Sequence, residues 1–237
     1  MLQITHLRSD FKQIMRDPIM TVLFFAPLFL IIVFRLMVLL LIPFLVTRTG
    51  FDVSPWLLYV FVFVIMMCGA LLGIVTGFMM IDERDGNISE LMSVTPLGRG
   101  GYLFNRLLFA AASTFLYGVL SYYVMDVVEL PIITVLFVSL LSSNYSVIIG
   151  LLIFSFADDK VKGLTFAKAI NALSLFAFTD LLSLRWLTVL SWFFPPYWIT
   201  MVVQYPHSVM IYGLALVVNG GWLWLLIRYR LRMTFSV

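Results

Sequence analysis

Charged residues are scarce in this sequence. Only 11% of its 237 residues are Asp, Glu, Lys or Arg, and 62% are hydrophobic, whereas soluble domains contain about 25% charged residues. So few charges cannot cover a water-exposed surface, which excludes a soluble globular domain. The long apolar runs and the mean hydropathy of +1.07 predict an all-α integral membrane protein.

Cysteine, histidine and nucleotide-binding motifs are also nearly absent. The single cysteine, Cys68, excludes an intrachain disulfide and argues against a metal site, and His6 and His207 are predicted near opposite membrane faces. No G-x-x-x-x-G-K-[ST] motif and no catalytic constellation are present. We therefore expect a protein that is not an enzyme and binds no cofactor directly. The small excess of positive charge does not imply nucleic acid, because membrane proteins carry Lys and Arg in cytoplasmic loops.

Six apolar runs predict six transmembrane helices in a single domain, 1–237. Each run approaches or exceeds the length of about 20 residues that crosses a bilayer core. Their predicted bounds are 19–46, 56–81, 102–127, 131–156, 164–184 and 209–227. Residues 185–206 contain shorter apolar pieces broken by Pro195 and Pro196. Their Trp and Tyr residues suit the headgroup layer, so we predict short re-entrant helices on the extracytoplasmic side.

The N-terminal residues 1–17 combine apolar and charged positions at helical spacing. Phe11, Ile14 and Met15 belong to the apolar set. This pattern predicts a helix that lies in the membrane interface with its charges in water. The alternative is a solvated tail.

Lys and Arg are distributed unequally between the two sides of the membrane. The N-terminal segment, the second-to-third connection, the fourth-to-fifth connection and the C-terminal tail carry three each, whereas the other side has only Arg48 and Arg185. The positive-inside rule therefore predicts that both termini and residues 82–101 are cytoplasmic.

Residues 82–101 form the longest polar interruption and predict a short amphipathic helix. Asn87 is a candidate N-cap, and Glu90 follows it at capping-box spacing. One helix face would hold Ile88, Leu91 and Met92. Since so short a helix is marginal alone, its apolar face needs either a protein partner or the lipid surface.

Two further features lie inside the predicted spans. Gly69, Gly73 and Gly77 recur every four residues and predict a face on which another helix packs closely. Arg35 and Asp180 each lie about 24 Å along a predicted outward-running span. We hypothesise that they pair, within one subunit or between two. Alternatively, Arg35 reaches the outer headgroups and Asp180 ends its helix.

Several stretches resemble ABC type-2 transporter permeases, and together they cover most of the chain. They are RDPIMTVLFFAPLFL at the first span, DERDGNISELMSVTPLGRGGYLFNRLL after the second and FPPYW before the last. The stretch FADDKVKGLTFAKA further resembles a subgroup of fluoroquinolone or antibiotic exporter permeases.

This resemblance implies a six-span subunit that pairs with an identical or different permease in a plasma membrane, typically prokaryotic. Two cytoplasmic ABC ATPase subunits would bind ATP and Mg²⁺. Residues 1–17 would be a connecting helix that includes Phe11, Ile14 and Met15. The segment 82–101 would hold a coupling helix that docks on the ATPase, through Glu83, Arg84, Asn87, Ile88, Glu90, Leu91 and Met92.

The resulting prediction is a permease subunit that exports a drug-like, lipid or peptide substrate. One alternative is a membrane immunity or sensor protein that binds a toxic peptide without transporting it. Another is an ion-coupled multidrug transporter, a class that often places acidic residues near the membrane midplane.

Overall fold

Long helices dominate residues 11–50, 52–86, 98–182 and 184–235, which the computed structural model describes. No strand occurs in these ranges. The helices, in chain order, are α1 (Pro18–Thr49), α2 (Leu57–Asp85), α3 (Gly98–Met125), α4 (Ile132–Phe156), α5 (Lys160–Ala172), α6 (Arg185–Ser191), α7 (Pro195–Gln204) and α8 (Val209–Phe235). A 3₁₀ turn, Ser54–Trp56, precedes α2, and a 3₁₀ helix, Leu173–Leu182, continues α5.

Six of these elements are long and apolar enough to cross a membrane: α1, α2, α3, α4, α5 with its 3₁₀ extension, and α8. This confirms, for the described residues, the prediction of an all-α fold with six candidate membrane-spanning helices. The short helices α6 and α7 meet at a bend of 107°. Their predicted re-entrant position in the bilayer stays a prediction.

The helices around the predicted loop 82–101 are longer than expected. α2 continues through Asp85 instead of ending at 81, and α3 begins at Gly98 instead of 102. For α2 the physical reason is tertiary, since polar residues of its extension form the ion pairs and hydrogen bonds that are described below.

Local sequence signals set the two ends of α1. The Asp17 carboxylate accepts hydrogen bonds from the backbone amides of Ile19 at 2.8 Å and Met20 at 3.2 Å, and Pro18 occupies the first helical position. At the other end Gly50 adopts φ 68°, and its amide donates to the Val46 carbonyl at 3.0 Å. Glycine takes this left-handed conformation without steric cost.

The core lies between α2 and α4. In each of these two helices 67% of the central span is buried, against 6% in α1 and 11% in α8. Gly69, Gly73 and Gly77 face α4, where a Cβ added to Gly73 would lie 2.6 Å from the Ser146 carbonyl oxygen. The Ser142 hydroxyl crosses the same interface and donates to the Ile65 carbonyl at 2.9 Å. The three glycines therefore allow the backbones of α2 and α4 to pack closely.

The segment before α1 packs against the bundle. Residues 11–16 are helical, whereas residues 1–10 lie outside the described ranges. Ile14 is fully buried, and its carbonyl accepts a hydrogen bond from the Thr21 hydroxyl at 2.8 Å. The rings of Phe11 and Phe24 pack edge-to-face, with their centroids 6.1 Å apart. Met15 is exposed. The buried part of the apolar face thus contacts protein.

Candidate coupling site

A group of charged and polar side chains joins four parts of the chain at one end of the bundle. We call it the polar cluster and this end the cluster end. It combines the start of α1, the end of α2, the start of α3 and the α4–α5 connection. Its members are Asp17, Asp82, Glu83, Arg84, Tyr102, Arg106 and Lys160, and Arg84 also reaches the backbone carbonyls of the α4–α5 connection.

Glu83 links α2 to α3 across the predicted coupling loop. Its side chain is only 2% exposed, and its carboxylate accepts hydrogen bonds from the Tyr102 hydroxyl and from Arg106, whose Nε lies 3.0 Å away. A second Arg106 nitrogen donates to the other carboxylate oxygen, which makes the pair bidentate. Such a buried carboxylate depends on its partners, because burying a lone charge is costly.

Arg84 links α2 to the carboxyl end of α4. Its guanidinium donates to the Ala157 carbonyl at 3.1 Å and to the Asp158 carbonyl at 2.5 Å. Both carbonyls follow Phe156, the last residue of α4. Hydrogen bonds from a charged donor are stronger than those between neutral groups. The same guanidinium lies 5.9 Å from the centre of the Phe154 ring.

Lys160 links α5 to both α2 and the residue that caps α1. Its ammonium forms ion pairs with Asp17 and, at 2.8 Å, with Asp82. Burial acts to raise the pKa of Asp17, but hydrogen bonds from Lys160, Met20 and Ile19 outweigh it and hold that pKa below its ordinary value. The cap of α1 is therefore tied to the α4–α5 connection by charge.

The predicted coupling residues fall into two groups. Glu83 and Arg84 are members of the polar cluster. The other five, Asn87, Ile88, Glu90, Leu91 and Met92, lie outside the described residues. The docking role assigned to all seven stays a prediction. Among the described residues no group of three His, Cys, Asp or Glu side chains is arranged to hold a metal ion.

Arg35 has a different partner from the one predicted. It donates to the Met125 carbonyl at 2.5 Å and lies 3.8 Å from the Asp126 carboxylate. Arg35 and Asp180 form no ion pair within the described chain, which corrects the intrachain version of that hypothesis. Distance along each helix placed Arg35 and Asp180 at similar depths but could not show whether their helices are neighbours. The partial negative charge at the carboxyl end of α3 attracts the Arg35 guanidinium instead. A pair between two subunits stays a prediction.

Asp180 instead borders cavities at the opposite end of the bundle. One, of about 580 Å³, lies against the start of α2 and the end of α7. A neighbouring cavity of about 440 Å³ lies against α6. Leu58 and Glu83, on the same helix, are separated by about 37 Å. The cavities are therefore remote from the polar cluster.

Comparison with known proteins identifies the family of the chain. Residues 10–227 match the family model described as "Fluoroquinolones export permease protein Rv2686c-like". The chain belongs to this family. The predicted resemblance to exporter permeases of this subgroup is thereby confirmed, and family membership supports a permease rather than an enzyme.

Two curated relatives of this permease come from Mycobacterium tuberculosis. They are "Fluoroquinolones export permease protein Rv2686c" of strain ATCC 25618 / H37Rv and "Fluoroquinolones export permease protein MT2760" of strain CDC 1551 / Oshkosh. Each is 25% identical over 198 residues, which cover 81% of this chain and 77% of the relative. No solved structure matches the chain significantly.

Sequence reasoning missed most of the polar cluster of this export permease. Arg106 and Lys160 entered the sequence analysis only as charges that set orientation, and Asp17 and Tyr102 had no assigned role. One signal was present, because Tyr102 and Arg106 are four residues apart at the start of a span and so share a helix face. Their acceptor, Glu83, precedes them by 19 residues or more. Because it lies on a different helix, the periodicity of a single helix could not indicate this contact.

Proposed function

We propose that this chain is the membrane-spanning subunit of an ATP-driven exporter. It would work with a second permease subunit and with separate ABC ATPase subunits in a plasma membrane, with the polar cluster on the cytoplasmic side. Family membership and the names of the two mycobacterial relatives support export. The resemblance to type-2 permeases and the unequal distribution of Lys and Arg support the ATPase partner and the orientation.

The polar cluster is the observation that carries this proposal. The loop between α2 and α3 begins and ends beside it, and Glu83 joins the two flanking helices directly. Arg84 extends the connection to α4, and Lys160 extends it to α5 and to the cap of α1. A displacement of the loop by an ATPase would therefore reach five helices through charged contacts. Such a displacement would bias the spans between inward-facing and outward-facing arrangements.

The proposed substrate is an amphipathic, drug-like compound. The curated relatives are named for fluoroquinolones. The spans of this chain are strongly apolar, so a route for hydrophilic solutes has little chemical support.

The test is transport into inverted membrane vesicles that contain the permease and a co-expressed ABC ATPase. We expect uptake of a fluorescent fluoroquinolone that requires ATP and is blocked by vanadate. A catalytically inactive ATPase variant is the matched control. Uptake that resists vanadate but collapses with a protonophore would contradict the proposal and favour an ion-coupled transporter. Binding of the drug without uptake under either energy source would favour a non-transporting sensor.

A further inference from the structure

The larger cavity beside Asp180 has the size and lining of a small-molecule site. Its volume of about 580 Å³ lies within the range of about 300–1,000 Å³ that is common for such sites. A carboxylate, an amide and two phenols share the wall with aliphatic and thioether side chains. The lining residues are Leu58, Asp180, Tyr197, Met201, Gln204 and Tyr205. Small-molecule sites typically combine apolar walls with a few polar groups in this way.

The carboxylate of Asp180 has no partner of opposite charge within the described part of the chain. Arg35 is held by the carboxyl end of α3, and the guanidinium of Arg48 lies 5.9 Å from the ring of Phe44. Arg185 borders the neighbouring cavity together with Asp180, yet the two form no ion pair. A half-buried carboxylate in a membrane protein is costly unless a cation or water compensates it. The cavity thus presents a negative charge to whatever enters.

Hydrogen bonds hold two side chains of the cavity wall, Gln204 and Tyr197. The Gln204 amide donates to the Tyr59 hydroxyl at 2.8 Å, which joins α7 to α2. The indole of Trp192 donates to the Tyr197 hydroxyl at 3.3 Å, which joins the bend between α6 and α7 to the cavity wall. Aromatic ring faces attract organic cations, most strongly where water is excluded. A carboxylate beside two phenol rings favours cations that carry apolar groups.

We propose that this cavity binds the cationic group of an amphipathic aromatic compound, such as a protonated amine or a quaternary cation. Asp180 supplies the counter-charge, Tyr197 and Tyr205 supply aromatic contacts, and Leu58 and Met201 contact the apolar body. The inference rests on the proposed function in one respect, because the bound compound is then a transport substrate. Binding itself requires neither ATP nor an ATPase.

The test measures equilibrium binding of tetraphenylphosphonium to the purified protein in lipid nanodiscs. This probe carries a permanent charge, so pH does not change its ionisation. We expect Asp180→Asn to weaken binding about tenfold, as loss of one charge interaction would, and Asp180→Glu to retain most of the affinity. Asp52→Asn is the matched control, because Asp52 is an exposed acid in the α1–α2 connection at the same end. Neutral triphenylphosphine oxide should bind the wild type and Asp180→Asn equally.

Two results would overturn the inference. One is equal affinity of the wild type and Asp180→Asn for the cation. The other is the same loss in Asp180→Glu as in Asp180→Asn, which would show that shape rather than charge governs binding. If binding depends on Asp180 but vesicles show no ATP-driven uptake, the site stands and the proposed function falls. If uptake occurs but cation binding ignores Asp180, the reverse holds.

Discussion

Glu83 shows how one buried side chain organises the cluster end. Its carboxylate is 2% exposed and receives both a bidentate guanidinium and a phenol. The helices that it joins are the two on either side of the predicted coupling loop. The net stabilisation from a buried ion pair is small, because both charges lose their hydration. Removing one partner destabilises the protein much more, because the other charge is then buried without compensation.

We expect Glu83→Gln to destabilise the protein by about 3 kcal/mol, since it takes the negative charge away from the partly buried Arg106 guanidinium. In detergent this corresponds to a melting temperature lower by roughly 5–10 °C. Asp158→Asn is the control, because the Asp158 carboxylate is exposed and pairs at the surface with Lys162 at 2.6 Å. An unchanged melting temperature for Glu83→Gln would show that the pair is not a structural tie.

At the scale of elements, the glycine face of α2 sets how closely α4 approaches. We expect Gly73→Ala to destabilise the protein by about 1–3 kcal/mol, as overpacking does. The new methyl would lie 2.6 Å from the Ser146 carbonyl oxygen and 2.8 Å from the Ile149 Cβ, so a helix would have to move. Gly220→Ala in α8 is the matched control, since no atom lies within 4 Å of its added Cβ. There we expect no loss and a gain of at most about 1 kcal/mol from helix propensity. Thermal unfolding in nanodiscs measures both variants.

The cap of α1 predicts a dependence of stability on pH. The pKa of Asp17 in the folded protein lies below its ordinary value of 3.8. Its carboxylate therefore contributes stability that is fully present above that value and is lost as the pH falls through the lowered pKa. Asn caps a helix as well as Asp but offers Lys160 no charge.

The comparison of wild type with Asp17→Asn isolates this contribution. We expect the wild type to melt at a higher temperature at pH 7 and the difference to shrink towards zero as the pH falls from about 5 to about 2. Thermal melts of both proteins over this range provide the measurement. A difference that stayed constant with pH would mean that the ion pair with Lys160 adds nothing.

The elements were largely predictable from the sequence, whereas their polar ends were not. Runs of about 20 apolar residues determine spans, because a bilayer admits no unpaired backbone polar groups. The extension of α2 to Asp85 escaped prediction because Glu83 and Arg84 are stabilised by partners from α3 and α4. Such partners are distant in sequence and become visible only once the helices are packed.

At the scale of the whole molecule, the two ends of the bundle have different chemistry. The cluster end holds interlocked charges beside the predicted coupling loop, and the opposite end holds the cavities beside Asp180. The sequence predicted the coupling loop but assigned no residue to substrate binding. It did not predict the pairing of Arg35, because equal depth along two helices says nothing about whether those helices are neighbours.

Orientation in the membrane is testable by cysteine labelling. Cys68 is fully buried, so we expect the wild-type protein not to react with the maleimide. We expect Asp52→Cys, in the α1–α2 connection, to react with a membrane-impermeant maleimide on intact cells. Asp85→Cys, at the end of α2, should react only after the membrane is opened. Both replaced residues are exposed aspartates, so accessibility to solvent is matched. The reverse pattern would invert the proposed orientation.

The length of α1 makes the protein sensitive to the thickness of the bilayer. Its 32 residues extend about 48 Å, whereas a bilayer core is about 30 Å thick. The helix can therefore tilt, kink at Pro27 or Pro43, protrude beyond the core or thicken the surrounding lipid. The hydrogen bond from Arg35 to the Met125 carbonyl attaches α1 to α3 near the middle of α1. A thinner membrane would favour a larger tilt of α1 about this contact. The thickness of the membrane would then change how α1 is arranged against the rest of the bundle.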